Sequence, residues 1–358
     1  MRKGVLISAA LAGVALAATP ASAQQAAPTA ANCAPAGGLS FICGPKRPED
    51  LAVLPGGRWL VASGIEEGGG LHLIDTRTKA WRRWIAPADG KADRRFTDCA
   101  APPDPDRFAA HGLALAPGAK GRARLYVVGH GEREAVEVFD IATDGPEPAL
   151  AWRGCLRAPD KIEFNGVAAA PDGALLVTVP ALPGTSLLDA FEGKATGAIF
   201  EWAPGGGGFR KIEGTSLPHD NGIEISPDGK TVYVAAPPAR AVTAYRRGAT
   251  WRKLWSLSTP GMIPDNIHWG PNGKLYAGGF ADDEPACGPL EAVNGRVDFG
   301  CPRGFRAAVI DPIAKSVAVV AKGAPVAGFQ GGATALPAGG DLWISSPFAN
   351  RLAYRPWP

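Results

Sequence analysis

The chain has 358 residues, 46% of them hydrophobic, with 37 Lys and Arg against 34 Asp and Glu. The formal charge of +3 falls to +1 without Arg2 and Lys3, a near-balance that argues against a nucleic-acid or membrane-surface partner. Long helical periodicity is absent, and 47 glycines and 34 prolines suit short strands joined by tight turns.

In chain order, residues 1–23 read as a cleavable signal peptide. Arg2 and Lys3 form a basic start, Gly4 to Ala18 is apolar but short for a membrane span, and Ala21-Ser22-Ala23 is an A-x-A cleavage site. No second long apolar run follows, so a soluble periplasmic or secreted protein is expected, without a membrane span. Residues 24–46 read as an N-terminal lead-in, rich at first in Ala, Gln and Pro.

From residue 47 to 358 one unit recurs six times. Counting back six positions from a turn proline gives Glu49 (EDLAVLP), His111 (HGLALAP), Asn165 (NGVAAAP), Asn221 (NGIEISP), Asp265 (DNIHWGP) and Gly331 (GGATALP). Most copies continue into a Gly- or Asn-bearing turn, and all into a second apolar strand such as WLVASG, LYVVGH or TVYVAA. Period-2 alternation flanking turns that need φ > 0 is a strand–turn–strand signal. The units start 44 to 66 residues apart, the period of propeller blades, so an all-β six-bladed β-propeller is expected. An irregular sandwich array has no reason to repeat at that interval.

Six cysteines in an exported chain imply three disulfides. Cys287 and Cys301 flank Val293-Asn294-Gly295-Arg296-Val297, a type I′ hairpin signal that brings its legs together. Cys99 and Cys155 hold similar places in adjacent repeats. Cys33 and Cys43 remain, closing a Pro/Gly loop before the first repeat. With no C-x-x-C pair, a metal role for these thiols is not expected.

In a propeller the innermost strands line a central channel, so equivalent positions form a ring. Glu49, Asn165, Asn221 and Asp265, with Asn266 beside the last, offer carboxylate and amide oxygens. Those are hard ligands suited to Ca²⁺; Zn²⁺ would favour His and Cys. His111 takes the remaining polar ring place. His130 ends the following antiparallel strand and can approach it.

Segments PEDLAVLPGGRWLVASG, HGLALAP, LYVVGH, FNGVAAAPDG, DNGIEISPDGKTVYVAA and PDNIHWGPNGKLYAGG resemble the paraoxonase/arylesterase-like members of the SMP-30/gluconolactonase propeller superfamily. The resemblance spans about residues 47–348. It implies a catalytic calcium held by Glu49, Asn165, Asn221, Asp265 and Asn266, with His111 and His130 as catalytic residues. Relatives of that branch hold a second, structural calcium. Asp50 is present for it, but the other expected acid is Gly166, which puts a second ion in doubt.

The expected activity is that of a calcium-dependent carboxylic-ester hydrolase, a lactonase or arylesterase acting on a small molecule as a monomer. The metal would bind the substrate carbonyl and His111 would activate water, oriented by His130. Asn221 and Asn266 are expected to turn amide N–H groups toward the oxyanion. No G-x-S-x-G elbow supplies a serine nucleophile. Alternatives are a sugar-lactone hydrolase of gluconolactonase type, a phosphotriesterase with Asp265 as nucleophile, and a non-enzymatic propeller stapled by calcium. Specificity is expected in loops 180–195 and 282–303 over the channel mouth. Of the other histidines, His219 could line the mouth, His268 could face a neighbouring blade and His72 has no assigned role.

Overall fold

The computed structural model describes residues 33–119 and 121–358, so the signal peptide expected at 1–23 lies outside the described residues. Six four-stranded antiparallel sheets form the ring. Blade one comprises Pro48–Val53, Trp59–Gly64, Gly70–Asp75 and Trp81–Arg83. Blades two to five follow in chain order, beginning with the inner strands Ala109–Pro117, Val167–Ala169, Ile223–Ile225 and Met262–Trp269. Blade six takes Ala335–Ala338, Asp341–Ile344 and Arg351–Pro356 from the C-terminal end, and its outer strand is Ser40–Cys43.

That outer strand corrects the boundary at 47. Ser40–Cys43 belongs to the propeller, because Ser40 pairs with Tyr354 and Cys43 with Arg351. The ring thus closes by pairing the first strand with the last, which removes a bare sheet edge. The three disulfides are Cys33–Cys43, Cys99–Cys155 and Cys287–Cys301, as their positions implied.

Alternation along the strands puts apolar side chains on both faces of each sheet, and six buried clusters result, one per seam between blades. Leu51, Leu60 and Ile74 of blade one meet Leu336, Trp343 and Leu352 of blade six. Phe96, Tyr126 and Val138 meet Val167, Val177 and Phe200 at the seam of blades two and three.

The inner strands share a device that aims the ring. In blades one, two and five the register slips between Pro48 and Leu51, Ala110 and Leu113, and Pro264 and Ile267. Each slip is a bulge that sets two residues, Glu49-Asp50, His111-Gly112 and Asp265-Asn266, opposite one on the partner strand. Blades three and four repeat it: Asn165 N–H donates to the Thr178 carbonyl and Thr178 N–H to the Gly166 carbonyl, while Asn221 and Gly222 do the same with Ala235. A bulge breaks the alternation locally and re-aims a side chain, here toward the channel.

The sixth blade differs from the count. Its bulge pair is Ala333-Thr334, opposite Ser345, and not Gly331. Its proline comes four positions after the first bulge residue where the other blades have six, so Pro337 lies inside the strand Ala335–Ala338. Gly331 has φ of +64°, and a β-carbon there would come within 2.3 Å of the Phe280 ring.

Blades are tied to each other at the same level. Gly112 N–H donates to the Asn165 carbonyl, Gly222 N–H to Asp265 and Asn266 N–H to Ala333. The hydroxyls of Thr178 and Ser345 donate to the carbonyls of Asn221 and Glu49. This close approach explains the glycines after the ring residues: a β-carbon on Gly112 would sit 2.4 Å from the Asn165 oxygen, and one on Gly222 2.5 Å from that of Asp265.

Candidate metal centre and active site

The bulges bring Glu49, Asn165, Asn221, Asp265 and Asn266 to one level of the channel, all of them buried. Their contacts leave a specific deficit. Glu49 Oε1 accepts from Asn266 Nδ2 at 2.7 Å, whereas Glu49 Oε2 has no partner. Asn165 Oδ1 and Asn221 Oδ1 are also sealed from solvent and unpartnered. Three orphaned oxygens from blades one, three and four cost desolvation without return in the protein alone. Their chemistry, carboxylate and amide oxygen, suits a hard cation of the calcium type.

The electrostatics agree. Burial, reinforced by the Asp50 charge, pushes the Glu49 carboxyl up to about 8. Burial with Glu49 and Asp50 nearby holds the Asp265 carboxyl well above the usual range, against a hydrogen bond from Asn221. Crowded carboxyls that retain protons have a place for a cation instead.

Glu49 takes one of the two amide N–H groups of Asn266, and the Asn221 side chain bonds Asp265.

His111 Nε2 lies 3.6 Å from Glu49 Oε2 and 3.4 Å from Asn165 Nδ2. His111 Nδ1 is 3.0 Å from His130 Nε2, and His130 Nδ1 is 2.6 Å from Glu134 Oε2. One set of protons satisfies every link. The Asn165 amide donates to a bare His111 Nε2, His111 Nδ1–H donates to His130, and His130 Nδ1–H donates to Glu134. Glu134 is fixed in turn by the Phe164 N–H at 2.8 Å. Burial lowers the His111 pKa to about 4, so its lone pair is available at neutral pH.

Glu134 carries no motif of its own. The signal was its place four residues after His130, in the turn that starts the next strand.

His268 also proves to be part of the channel. Its Nε2 bonds Asp50 Oδ1 at 2.6 Å and its Nδ1 faces Glu224 Oε1 at 3.3 Å. Burial opposes its charge, but Asp50 and Glu224 raise its pKa to about 10, so it is an imidazolium between blades one and four. Asp50 further accepts from Leu113 N–H, Leu51 N–H and the Thr334 hydroxyl. A β-carbon on Gly166 would lie 2.9 Å from the Asn221 carbonyl. Asp50 is fully engaged, and the place of a second acid has no room for one.

His72 Nε2 accepts from Lys46 N–H at 3.2 Å inside blade one, away from the channel. Over the mouth, the segments after Leu175–Val179 and Leu275–Ala281 leave the ring end of blades three and five. The first carries helix Leu187–Phe191, the second the disulfide-closed hairpin Ala292–Val297, and Phe191 meets Phe299 edge-on at 6.0 Å between ring centroids.

Residues 130–282 match the SMP-30/Gluconolactonase/LRE-like region. No curated protein sequence matches the chain. Among solved structures, a luciferin-regenerating enzyme is 14% identical with a TM-score of 0.53, over 88% of this chain and 94% of the other. A protein assigned as a gluconolactonase is 15% identical with a TM-score of 0.52, over 92% and 96%. A calcium-binding regucalcin from Agrobacterium tumefaciens is 13% identical with a TM-score of 0.50, over 88% and 93%. At these identities the likeness is one of fold.

Proposed function

We propose that this chain, a member of the SMP-30/gluconolactonase superfamily, is an exported calcium-dependent hydrolase of lactones or aryl esters. The observation that carries the reading is the convergence of three orphaned oxygens, on Glu49, Asn165 and Asn221, with a histidine whose bare nitrogen faces them. Glu49, Asn165, Asn221, Asp265 and Asn266 would hold one calcium; regucalcin, a neighbour in fold, is itself described as calcium-binding. Bound there, the ion would supply a Lewis acid for the substrate carbonyl oxygen.

The protein's own residues handle the proton. His111 Nε2 takes it from the attacking water. As that nitrogen gains a proton, His111 Nδ1–H can pass its own to His130 Nε2, 3.0 Å away. Glu134 fixes the His130 tautomer and offsets the arriving charge. His111 therefore touches the reacting water, and His130 acts through it.

Export is supported by three disulfides among the described residues and by the leader-like sequence before them. Among the described residues no helix is long and apolar enough to cross a membrane.

The family match favours a lactone, and the histidine relay favours the arylesterase-like branch. The test is turnover of phenyl acetate, δ-valerolactone and gluconolactone with calcium, with EDTA, and after calcium is restored. Turnover lost on chelation and regained with calcium is expected. Turnover of gluconolactone alone favours the sugar-lactone reading, and no turnover of any ester with calcium bound favours the scaffold.

A further inference from the structure

His219 has no part in the proposed chemistry, yet the fold goes to some trouble to place it. It sits two residues before Asn221 with φ of +60°, a left-handed conformation that strains a residue carrying a β-carbon. Hydrogen bonds on every side hold it there. His219 N–H donates to the Thr196 hydroxyl at 3.1 Å, and that hydroxyl donates to the Pro180 carbonyl at 2.9 Å. Asp220 Oδ2 accepts from Leu217 N–H at 2.9 Å, and the Leu217 carbonyl accepts from Thr196 and Gly197. The imidazole takes no share in this. Neither ring nitrogen has a hydrogen-bond partner among the described residues, and Nδ1 is sealed from solvent.

The hydrogen bonds around the backbone offset its strain, but nothing in the fold repays the unsatisfied ring. Such costs concentrate where a ligand is met. The residue stands two positions before the ring ligand Asn221, and Thr196 and Pro180, which hold its backbone, bound the segment that leaves the ring end of blade three, so His219 belongs to the same end of the channel as the ligands. Its tautomer follows from burial. An N–H at the sealed Nδ1 would be a stranded donor, the costlier of the two forms, so the hydrogen sits on Nε2.

We propose that His219 is a substrate-contacting residue whose Nε2–H donates a hydrogen bond to the ring oxygen of a lactone, or the leaving-group oxygen of an ester, bound in the channel. This rests on the hydrolase reading for the identity of the ligand. The contact is a hydrogen bond and not a proton transfer. It strengthens as the C–O bond breaks and charge grows on the departing oxygen. A poor alkoxide leaving group therefore depends on it more than a stabilised phenoxide does.

The test compares δ-valerolactone with its thiolactone, whose sulfur is a weak acceptor, on the calcium-loaded wild type, His219→Gly and His219→Asn. Glycine removes both the strain and the donor; asparagine tolerates the left-handed backbone and keeps a shorter donor. The expected result is a fall of about 10-fold or more in kcat/KM for the lactone in His219→Gly. The thiolactone and p-nitrophenyl acetate should change less than about 3-fold, and His219→Asn should lie between. Calcium affinity should be unchanged and Tm equal to the wild type or higher. An unchanged lactone-to-thiolactone preference in both variants overturns the proposal. So does a parallel loss of all activities with Tm and calcium affinity, the mark of a structural residue. The hydrolase reading fails separately, as absent turnover in the wild type. In that event calorimetric binding of the same two compounds decides for His219: a lactone preference lost in His219→Gly supports it, and equal or absent binding overturns it.

Discussion

His111 and Glu49 show how burial sets the working state of single groups. Burial lowers the His111 pKa to about 4, so the imidazole is a bare base at neutral pH, with its proton on the nitrogen facing His130. His111→Gln is expected to keep the fold and the calcium and to lower kcat on a lactone by about 10²-fold or more, the scale of a lost general base. Retained turnover would transfer the role to another group, with Asp265 the first to test. Glu49 gives a pH signature. Burial and Asp50 push it up to about 8, whereas a ligand must be ionised. Calcium affinity should therefore rise from pH 6 to about 8 and level off above, with proton release seen as a buffer-dependent heat. The metal-free protein should move the other way. Between its ordinary 4.5 and about 8, Glu49 holds more proton folded than unfolded, so stability falls as pH rises through that window. His268, raised from 6.5 to about 10 despite burial by Asp50 and Glu224, adds the same sign, its contribution full below 6.5 and lost by about 10. Tm in EDTA that rises from pH 6 to 9, or calcium affinity flat over that range, would contradict this account.

At the scale of the strand, the bulge pair is the working unit, and its glycines are testable. Gly222 lies against the neighbouring ring carbonyl, whereas Gly273 sits in a hairpin turn with open space around it and φ of +69°. Gly222→Ala is expected to cost about 1–3 kcal/mol, because blades four and five must separate, and to weaken calcium binding. Gly273→Ala should cost about 1 kcal/mol of backbone strain and leave calcium binding as it was. Equal effects of the two on calcium would mean that the ring does not depend on this packing. The same unit explains what the sequence could tell. Polar residue, glycine, apolar alternation and turn proline are local features, and five of the six ring positions followed from them. The sixth did not, because Pro337 stands four positions after the first bulge residue and not six, so counting back from the proline overshoots Ala333-Thr334. Glu134 was within reach of local spacing from His130. The Asp50–His268 pair was not, since 218 positions separate partners that meet only across the closed ring. The strained backbone of His219 is likewise a product of contacts with Thr196 and Leu217 that no local pattern records.

For the whole molecule, stability depends on one closure, because an open ring leaves a seam and a strand edge bare. Ser40–Cys43 provides it, burying Phe41 and Ile42 and pairing along Arg351–Pro356. Phe41 stacks near Phe329 at 5.5 Å, with the Arg351 guanidinium 4.1 Å over its ring. Lys79 in blade one adds a tie to Asp341 in blade six and lies 4.6 Å over the Trp343 ring. Cys33–Cys43 pins the closing strand, but its loop spans a sequence separation of only 10, so chain entropy gives it less than about 3 kcal/mol. The strand contributes on a different scale: burying Phe41 and Ile42 alone amounts to about 3–6 kcal/mol, before the pairing is counted. Removing Cys33 and Cys43 together, by substitution with Ala, should lower Tm and leave a monodisperse ring that still binds calcium. Deleting residues 33–43 should lower Tm further and expose Arg351–Pro356 as an edge, giving concentration-dependent association in sedimentation. Calcium affinity should fall with it, because the Ser345 hydroxyl of blade six fixes the Glu49 carbonyl of blade one and the Thr334 hydroxyl fixes the neighbouring Asp50. If the deletion is no worse than the double substitution, the disulfide rather than the strand closes the ring. If it unfolds the blades but spares calcium binding, the ring residues are not the site.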